Sequence, residues 1–381
     1  MATKPRSIFA EVETAERAAP AKVAIGRPQG DRRGVGLWVW VLFALVVVMI
    51  AVGGLTRLTD SGLSITEWAP LSGAIPPLNE ADWQAEFDAY RAIPEYQLQN
   101  RGMSLAEFQF IYWWEWGHRQ LGRVIGLVWA AGFAFFVATR RVPPGWTRRL
   151  LVLGALGGLQ GLVGWWMVSS GLKGTMLDVA SYRLAVHLGL AFVILGLIAW
   201  YAMQLSRSEP DLIAARRTRE RKPFGLATGW MHFTFLQIVL GALVAGIDAG
   251  RSFTDWPLMA GGLLPPQMWD LSPWWRNLTE NAGTVQFVHR LSGYLLLAFA
   301  VVAWRRGRAS SNGHVRGAFD AAMGMTVVQM LLGIATVLLI APWWMAITHQ
   351  LGAVLLWVLV IRARHMAGYP PPFSIRQGVR A

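Results

Sequence analysis

Eight long apolar runs, separated by short polar or basic stretches, limit what this chain can fold into more than any other feature. Crossing a bilayer core as a helix takes about 20 consecutive apolar residues. Runs of that kind stand near 36–56, 110–139, 150–170, 184–205, 226–248, 283–304, 318–341 and 344–363. In hydrocarbon every backbone polar group must be satisfied internally, and continuous runs of this length read as helices. The expected fold class is therefore an all-α polytopic membrane protein with eight transmembrane helices. The last two runs are divided only by a short turn at Ala341-Pro342. A composition that is 54% hydrophobic and 15% charged excludes an ordinary soluble domain.

Charge then sets the topology. The net charge is +13, and 25 of the 35 Lys and Arg fall within 1–34, 140–149, 206–222, 305–316 and 362–381. The positive-inside rule places these segments, and so both termini, in the cytoplasm. The basic charge is thereby explained by membrane lipid and topology, with no nucleic-acid partner. Residues 1–34 are polar and basic without an apolar centre, which reads as a cytoplasmic tail and not a cleaved signal. The absence of cysteine excludes disulfides, thiolate metal ligands and haem attached through Cys-x-x-Cys-His. Tryptophans such as Trp113, Trp114, Trp165, Trp166, Trp274, Trp275, Trp343 and Trp344 cluster near the external helix ends, as an interfacial belt does.

The chain also repeats itself. Thr66-Glu67-Trp68 matches Thr254-Asp255-Trp256 at an offset of 188, and Ile75-Pro76-Pro77 matches Leu264-Pro265-Pro266. Gln160-Gly161-Leu162-Val163-Gly164 matches Gln329-Met330-Leu331-Leu332-Gly333 at an offset of 169. The expected organisation is a tail at 1–34, a four-helix half at 35–205, a linker at 206–222, a second four-helix half at 223–365 and a tail at 366–381. Four spans per half preserve orientation, so the repeats are parallel.

Four histidines fall in register with this repeat. Trp116-Gly117-His118-Arg119 answers Phe287-Val288-His289-Arg290, and Val186-His187-Leu188-Gly189 answers Thr348-His349-Gln350-Leu351-Gly352. Each is expected about four to eight residues into an even-numbered helix, hence ~6–12 Å from its outer end. Imidazole at membrane depth is costly without a partner and points to function. Two histidines on facing helices of a bundle can grip a haem iron from both sides. Small residues four positions on (Gly122, Ala191, Gly293, Ala353) leave room for a flat macrocycle. For any one histidine a helix-to-helix hydrogen bond is the simpler role. His232 lacks a counterpart in the first helix, and His314 and His365 sit in basic cytoplasmic segments; all three read as solvated or structural.

The two halves differ at one telling place. Glu115 stands three residues before His118, whereas Gln286 stands three before His289. Positions i and i−3 share a helix face, and only the carboxylate can carry charge. An ion pair with Arg119 or Arg123 is the plain reading of Glu115. The functional reading makes the first half reactive. Arg57, Arg119 and Arg290 are candidates to clamp haem propionates, with lipid phosphate or a carboxylate as equal alternatives. The external loop at about 59–107 carries eight acidic residues and reads as a cover for the site or an ordered cap.

Together, the four histidines, Glu115-x-x-His118-Arg119 and the run Gly-Leu-Thr-Arg-Leu-Thr-Asp-Ser-Gly-Leu-Ser at 54–64 resemble the haem A synthase family, over roughly residues 36–365. The resemblance is to the cysteine-free branch of proteobacteria and mitochondria. It implies oxidation of a methyl of haem O to a formyl group, giving haem A for terminal oxidases, by two hydroxylations and loss of water. It implies that His118 and His187 hold the substrate haem, that His289 and His349 hold a haem b cofactor, and that Glu115 acts in catalysis. It further implies a cell inner membrane location with haem sites toward the periplasm. Haem O synthase as haem donor, an unspecified electron donor and a homo-oligomer are its open partner readings. Two rivals stand beside it: a di-haem b cytochrome that only carries electrons, and a parallel-repeat transporter using its histidines for protons or metal ions.

Overall fold

The computed structural model describes residues 30–174 and 176–372. The tails expected at 1–34 and 366–381 lie outside the described residues except for 30–34 and 366–372. Among the described residues there is no β-strand, only an isolated bridge between Met259 and Gly262. Twelve α-helices are formed: α1 (Arg32–Leu58), α2 (Glu80–Arg91), α3 (Pro94–Leu98), α4 (Leu105–Ala138), α5 (Thr147–Val168), α6 (Ser181–Leu205), α7 (Glu209–Arg217), α8 (Arg221–Gly246), α9 (Asn277–Glu280), α10 (Ala282–Arg308), α11 (Gly313–Leu338) and α12 (Trp343–Gly368). Eight of them, α1, α4, α5, α6, α8, α10, α11 and α12, are long and apolar enough to cross a membrane. They coincide with the eight expected runs, and the chain is a multi-pass membrane protein.

Local chemistry sets the boundaries. Pro342 caps α12 after Ile340 and Ala341 adopt left-handed conformations (φ 63° and 47°), so the short turn does separate two full helices. The α4 helix begins five residues earlier than expected, because Ser104 and Glu107 form a reciprocal capping box. His118 is consequently the fourteenth residue of α4, not four to eight residues in, whereas His187, His289 and His349 are the seventh, eighth and seventh of their helices. The segment 206–222 is more than a linker. It contains α7, capped by Ser208, and Glu209 on α7 pairs with Arg32 at 3.1 Å.

The helices pair in the same cyclic order in each half. α1, α4, α5 and α6 close one ring of neighbours; α8, α10, α11 and α12 close the other. The halves meet along α1, α6, α8 and α12 through a core containing Trp38, Phe192, Leu195, Ile238, Trp357 and Ile361. Outward-facing helices remain apolar on their open sides, as Leu127, Leu162 and Leu331 illustrate. Without a hydrophobic drive between helices in lipid, hydrogen bonds and close packing do the joining. Indole donors supply several: Trp38 Nε1 to the Val128 carbonyl (3.0 Å), Trp129 Nε1 to Leu150 (3.0 Å) and Trp357 Nε1 to Phe192 (2.8 Å).

The first long loop is an ordered cap. α2 and α3 fold over the N-terminal end of α4 around Phe87, Tyr90, Tyr96 and Phe108. Inside this cluster Glu95 is buried and accepts hydrogen bonds from Tyr90 Oη (3.2 Å) and Asn100 Nδ2 (3.2 Å). Burial pushes its carboxyl up to about 8, against the opposing effect of the Tyr90 hydrogen bond. A folded-state value above the unfolded one means that the folded cap holds the extra proton. Its stability is therefore full below about pH 4.5 and declines as pH rises to about 8. Hydrogen exchange of residues 80–103 should quicken between pH 5 and 8.5 beyond its intrinsic pH dependence, and Glu95→Gln should remove that excess.

Of the two readings of His365, solvated or structural, the fold selects the second. It is 1% exposed, set between Trp200 and Tyr369 with ring centroids 5.1 and 5.3 Å away, so it is structural and not solvated. Among the described residues neither ring nitrogen has a partner. His314 is exposed, and His232 approaches the Thr228 carbonyl at 2.8 Å. An unsatisfied buried polar group costs stability, so His365→Phe should raise the thermal midpoint in detergent; a lower midpoint would contradict this account.

Candidate functional site

Each of the four paired histidines lies where a neighbouring helix presents a glycine. A Cβ built on Gly53 of α1 would stand 3.2 Å from His118 Nε2. One on Gly164 of α5 would stand 2.9 Å from His187 Cε1, and those on Gly241 of α8 and Gly333 of α11 would stand 3.0 Å from Cε1 of His289 and His349. A side chain there would press against the imidazole, most tightly at Gly164. These glycines recur at the offsets of the sequence repeat, 188 for 53 and 241, and 169 for 164 and 333.

Three of the rings share a second support. Gln160 Nε2 donates to the His187 carbonyl at 3.0 Å and lies 3.2 Å from Nδ1. Gln237 repeats this on His289 at 2.9 and 3.1 Å, and Gln329 on His349 at 2.8 and 3.2 Å. A metal-bound imidazole nearly always hands its other N–H to an acceptor that fixes its orientation. Among the described residues, Gln160 Oε1 and Gln329 Oε1 are buried beside these rings without a partner. The residues therefore fit bis-imidazole ligation of a haem iron. α4 and α6, like α10 and α12, stand on the diagonals of their bundles, which lets their side chains meet across the axis.

The room expected four residues after the histidines is partly taken. Gly122 faces Met49 Cε, which would lie 3.5 Å from a Cβ there, and Gly293 faces Gln237 Nε2 at 3.3 Å. Glu115 is 2% exposed and fully engaged. Its Oε2 accepts from Ser64 Oγ and the Ile65 amide, both at 2.8 Å, and its Oε1 accepts from Arg119 Nη2 at 2.6 Å and Nε at 3.1 Å. The ion pair is with Arg119; Arg123 instead binds the carbonyls of Ala69 and Pro70. Gln286 holds its own loop through Nε2 to the Phe253 carbonyl (3.0 Å), and its Oε1 is buried without a partner among the described residues.

The candidate propionate residues are also committed to protein groups. Arg119 donates to the carbonyls of Ile65 and Glu67, and Arg290 to those of Phe253 and Asp255, positions related by the 188 offset. Arg57 sits among Asp60, Asp178 and Asp248 at 3.2, 3.5 and 2.9 Å and joins the halves. Buried donors nonetheless remain at Arg57 Nε, Arg290 Nε and Trp116 Nε1, which suits an anionic group at this rim.

Reading the repeat located the histidines and the Glu115/Gln286 difference but missed Ser64, the four glycines as ring contacts and the three glutamines as ring supports. Gln160 and Gln329 were visible as anchors at offset 169. Gln237 has no glutamine counterpart in the first half, so a search for repeats passes over it.

Eight membrane-crossing helices with two such histidine pairs define a polytopic membrane protein of the oxidase-assembly type: residues 36–361 match the family described as cytochrome oxidase assembly protein. The chain is 62% identical over 384 residues to a protein of Dinoroseobacter shibae named haem A synthase, covering 99% of this chain and all of the relative. Proteins of that name from Ruegeria pomeroyi (62%, 97% of this chain and 99% of the relative) and Cereibacter sphaeroides (59%, 99% and 100%) are similarly close. The chain belongs to the haem A synthase family.

Crowding a ring from the glycine side tests the cage directly. Gly333→Leu should remove low-spin haem absorbance from the second bundle while far-UV circular dichroism stays helical; an unaltered spectrum would mean that His349 does not ligate iron.

Proposed function

We propose that this chain is an oxidoreductase that converts haem O to haem A, with haem O held in the first bundle between His118 and His187 and a haem b cofactor in the second between His289 and His349. Family membership over nearly the whole chain carries the reading. The matching glycine contacts around all four rings support the ligand assignment. In this reading the protein lies in the inner membrane with both termini cytoplasmic, supported by the basic segments at 140–149, 206–222 and 305–316 on one face.

Iron in the bound haems supplies the redox chemistry, and the protein contributes ligation, orientation and local charge. The methyl must lose four electrons overall to become an aldehyde. Glu115 serves as a fixed negative charge beside that methyl. Its oxygens accept four hydrogen bonds, which hold the carboxylate in one place. A carboxylate so held in a water-poor site can stabilise positive charge developing on the carbon being oxidised. Gln286, at the matching place, cannot, which accounts for one bundle reacting and the other only ligating. The same contacts tie residues 64–65 to α4, so Glu115 also fixes the floor of the external cap.

Pigment extracted from protein co-expressed with haem O synthase, separated by reversed-phase chromatography, should contain haem b together with haem O or haem A. Haem b alone would indicate an electron-carrying cytochrome, and no haem would indicate neither. Glu115→Gln should retain both haems but lower haem A formation by about 100-fold or more; full turnover in that variant would remove Glu115 from the chemistry.

A further inference from the structure

His118 differs from the other three paired histidines in lacking an amide support. Among the described residues its imidazole makes no side-chain hydrogen bond, whereas Gln160, Gln237 and Gln329 hold the other three rings in one geometry. The position that corresponds to Gln237 is Met49. Both stand four residues before the glycine that meets the ring, Gly53 in one half and Gly241 in the other. Both also face the glycine four residues after the histidine: Met49 meets Gly122, and Gln237 meets Gly293. The exchange extends to a neighbour. Gln237 Oε1 accepts a hydrogen bond from Ser292, and the residue at the matching offset of 171 is Leu121. A polar pair in the second bundle is thus an apolar pair in the first.

The ring itself is set differently. From the facing glycine, the nearest ring atom is Cε1 at His187, His289 and His349, but Nε2 at His118. An imidazole whose second nitrogen is held keeps its orientation and its basicity, and both strengthen a bond to iron. A thioether donates nothing and accepts weakly, so it packs beside the ring without fixing it. A substrate haem must leave after reaction, which requires axial bonds that open; a resident cofactor requires the reverse. His187, in the same bundle, is held by Gln160 and would stay in place while His118 lets go.

We propose that Met49 is a positioning residue that keeps His118 an exchangeable ligand, so that the first bundle releases its haem while the second, with Gln237, retains its own. This rests on the reading of the first bundle as the substrate site. The test uses full-length protein loaded with haem O and haem b, mixed with excess apomyoglobin. The rate at which each haem departs is followed by Soret absorbance, and the two haems are told apart by chromatography. Met49→Gln should slow haem O loss about 10-fold or more. Met49→Leu, which likewise offers no donor, should track the wild type. Gln237→Met should speed haem b loss by a similar factor. Equal haem O loss from wild type and Met49→Gln would overturn the proposal. So would undiminished haem b retention by Gln237→Met, which decides the matter if Met49→Gln does not fold. Wild-type protein that takes up no haem O at any concentration would overturn the substrate-site reading and this inference with it, an outcome distinct from unchanged release rates.

Discussion

Close approach between a glycine and an imidazole is the contact on which the interior of both bundles depends. Lipid tails are as apolar as leucine, so helices in a bilayer gain little by hiding apolar faces from one another. What draws them together must be tight packing and polar contacts that hydrocarbon cannot replace. At Gly53, Gly164, Gly241 and Gly333 the backbone of one helix takes the histidine of its neighbour directly against it. The same contact therefore joins helices and aims a ligand. Structure and chemistry are hard to separate here, because the room that admits the ring is also the room that lets the helices touch.

Much of this was readable before any coordinates. Apolar run length located all eight spanning helices, since the requirement of about 20 residues leaves few alternatives. The four histidines and Glu115 emerged because each has a partner or a contrast in the other half. Other features lay beyond reach for physical reasons. The N-terminal extension of α4 depends on a capping box, a local pair that hydropathy does not register. His365, which follows Arg362 and Arg364, could be read as solvated or structural, and only the fold shows the helix turning it inward between Trp200 and Tyr369. The glutamine supports join residues 20 to 52 positions apart and become visible only when the helices are placed side by side.

The contrast between the halves is one of degree at each position and of kind in sum. Glu115 against Gln286 and Leu121 against Ser292 stand three residues on either side of one pair of equivalent histidines, and Met49 against Gln237 stands one turn before the glycine that meets each of those rings. The opposite pair, His187 and His349, keeps its glutamine and its glycine in both halves. Divergence is thus concentrated on the α1–α4 side of the first bundle. That side also carries the ordered cap, anchored through Ser64 and Ile65 to Glu115, where the second half has Gln286.

The indole bonds described for the helix bundle have a mechanical consequence. Trp38, Trp129 and Trp357 each reach a main-chain oxygen on an adjacent helix, linking α1 to α4, α4 to α5 and α12 to α6. A helix so pinned cannot roll about its own axis without stranding a buried donor. Bilayers of differing thickness must then be met by leaning of the whole assembly, with ring-bearing faces keeping their azimuth.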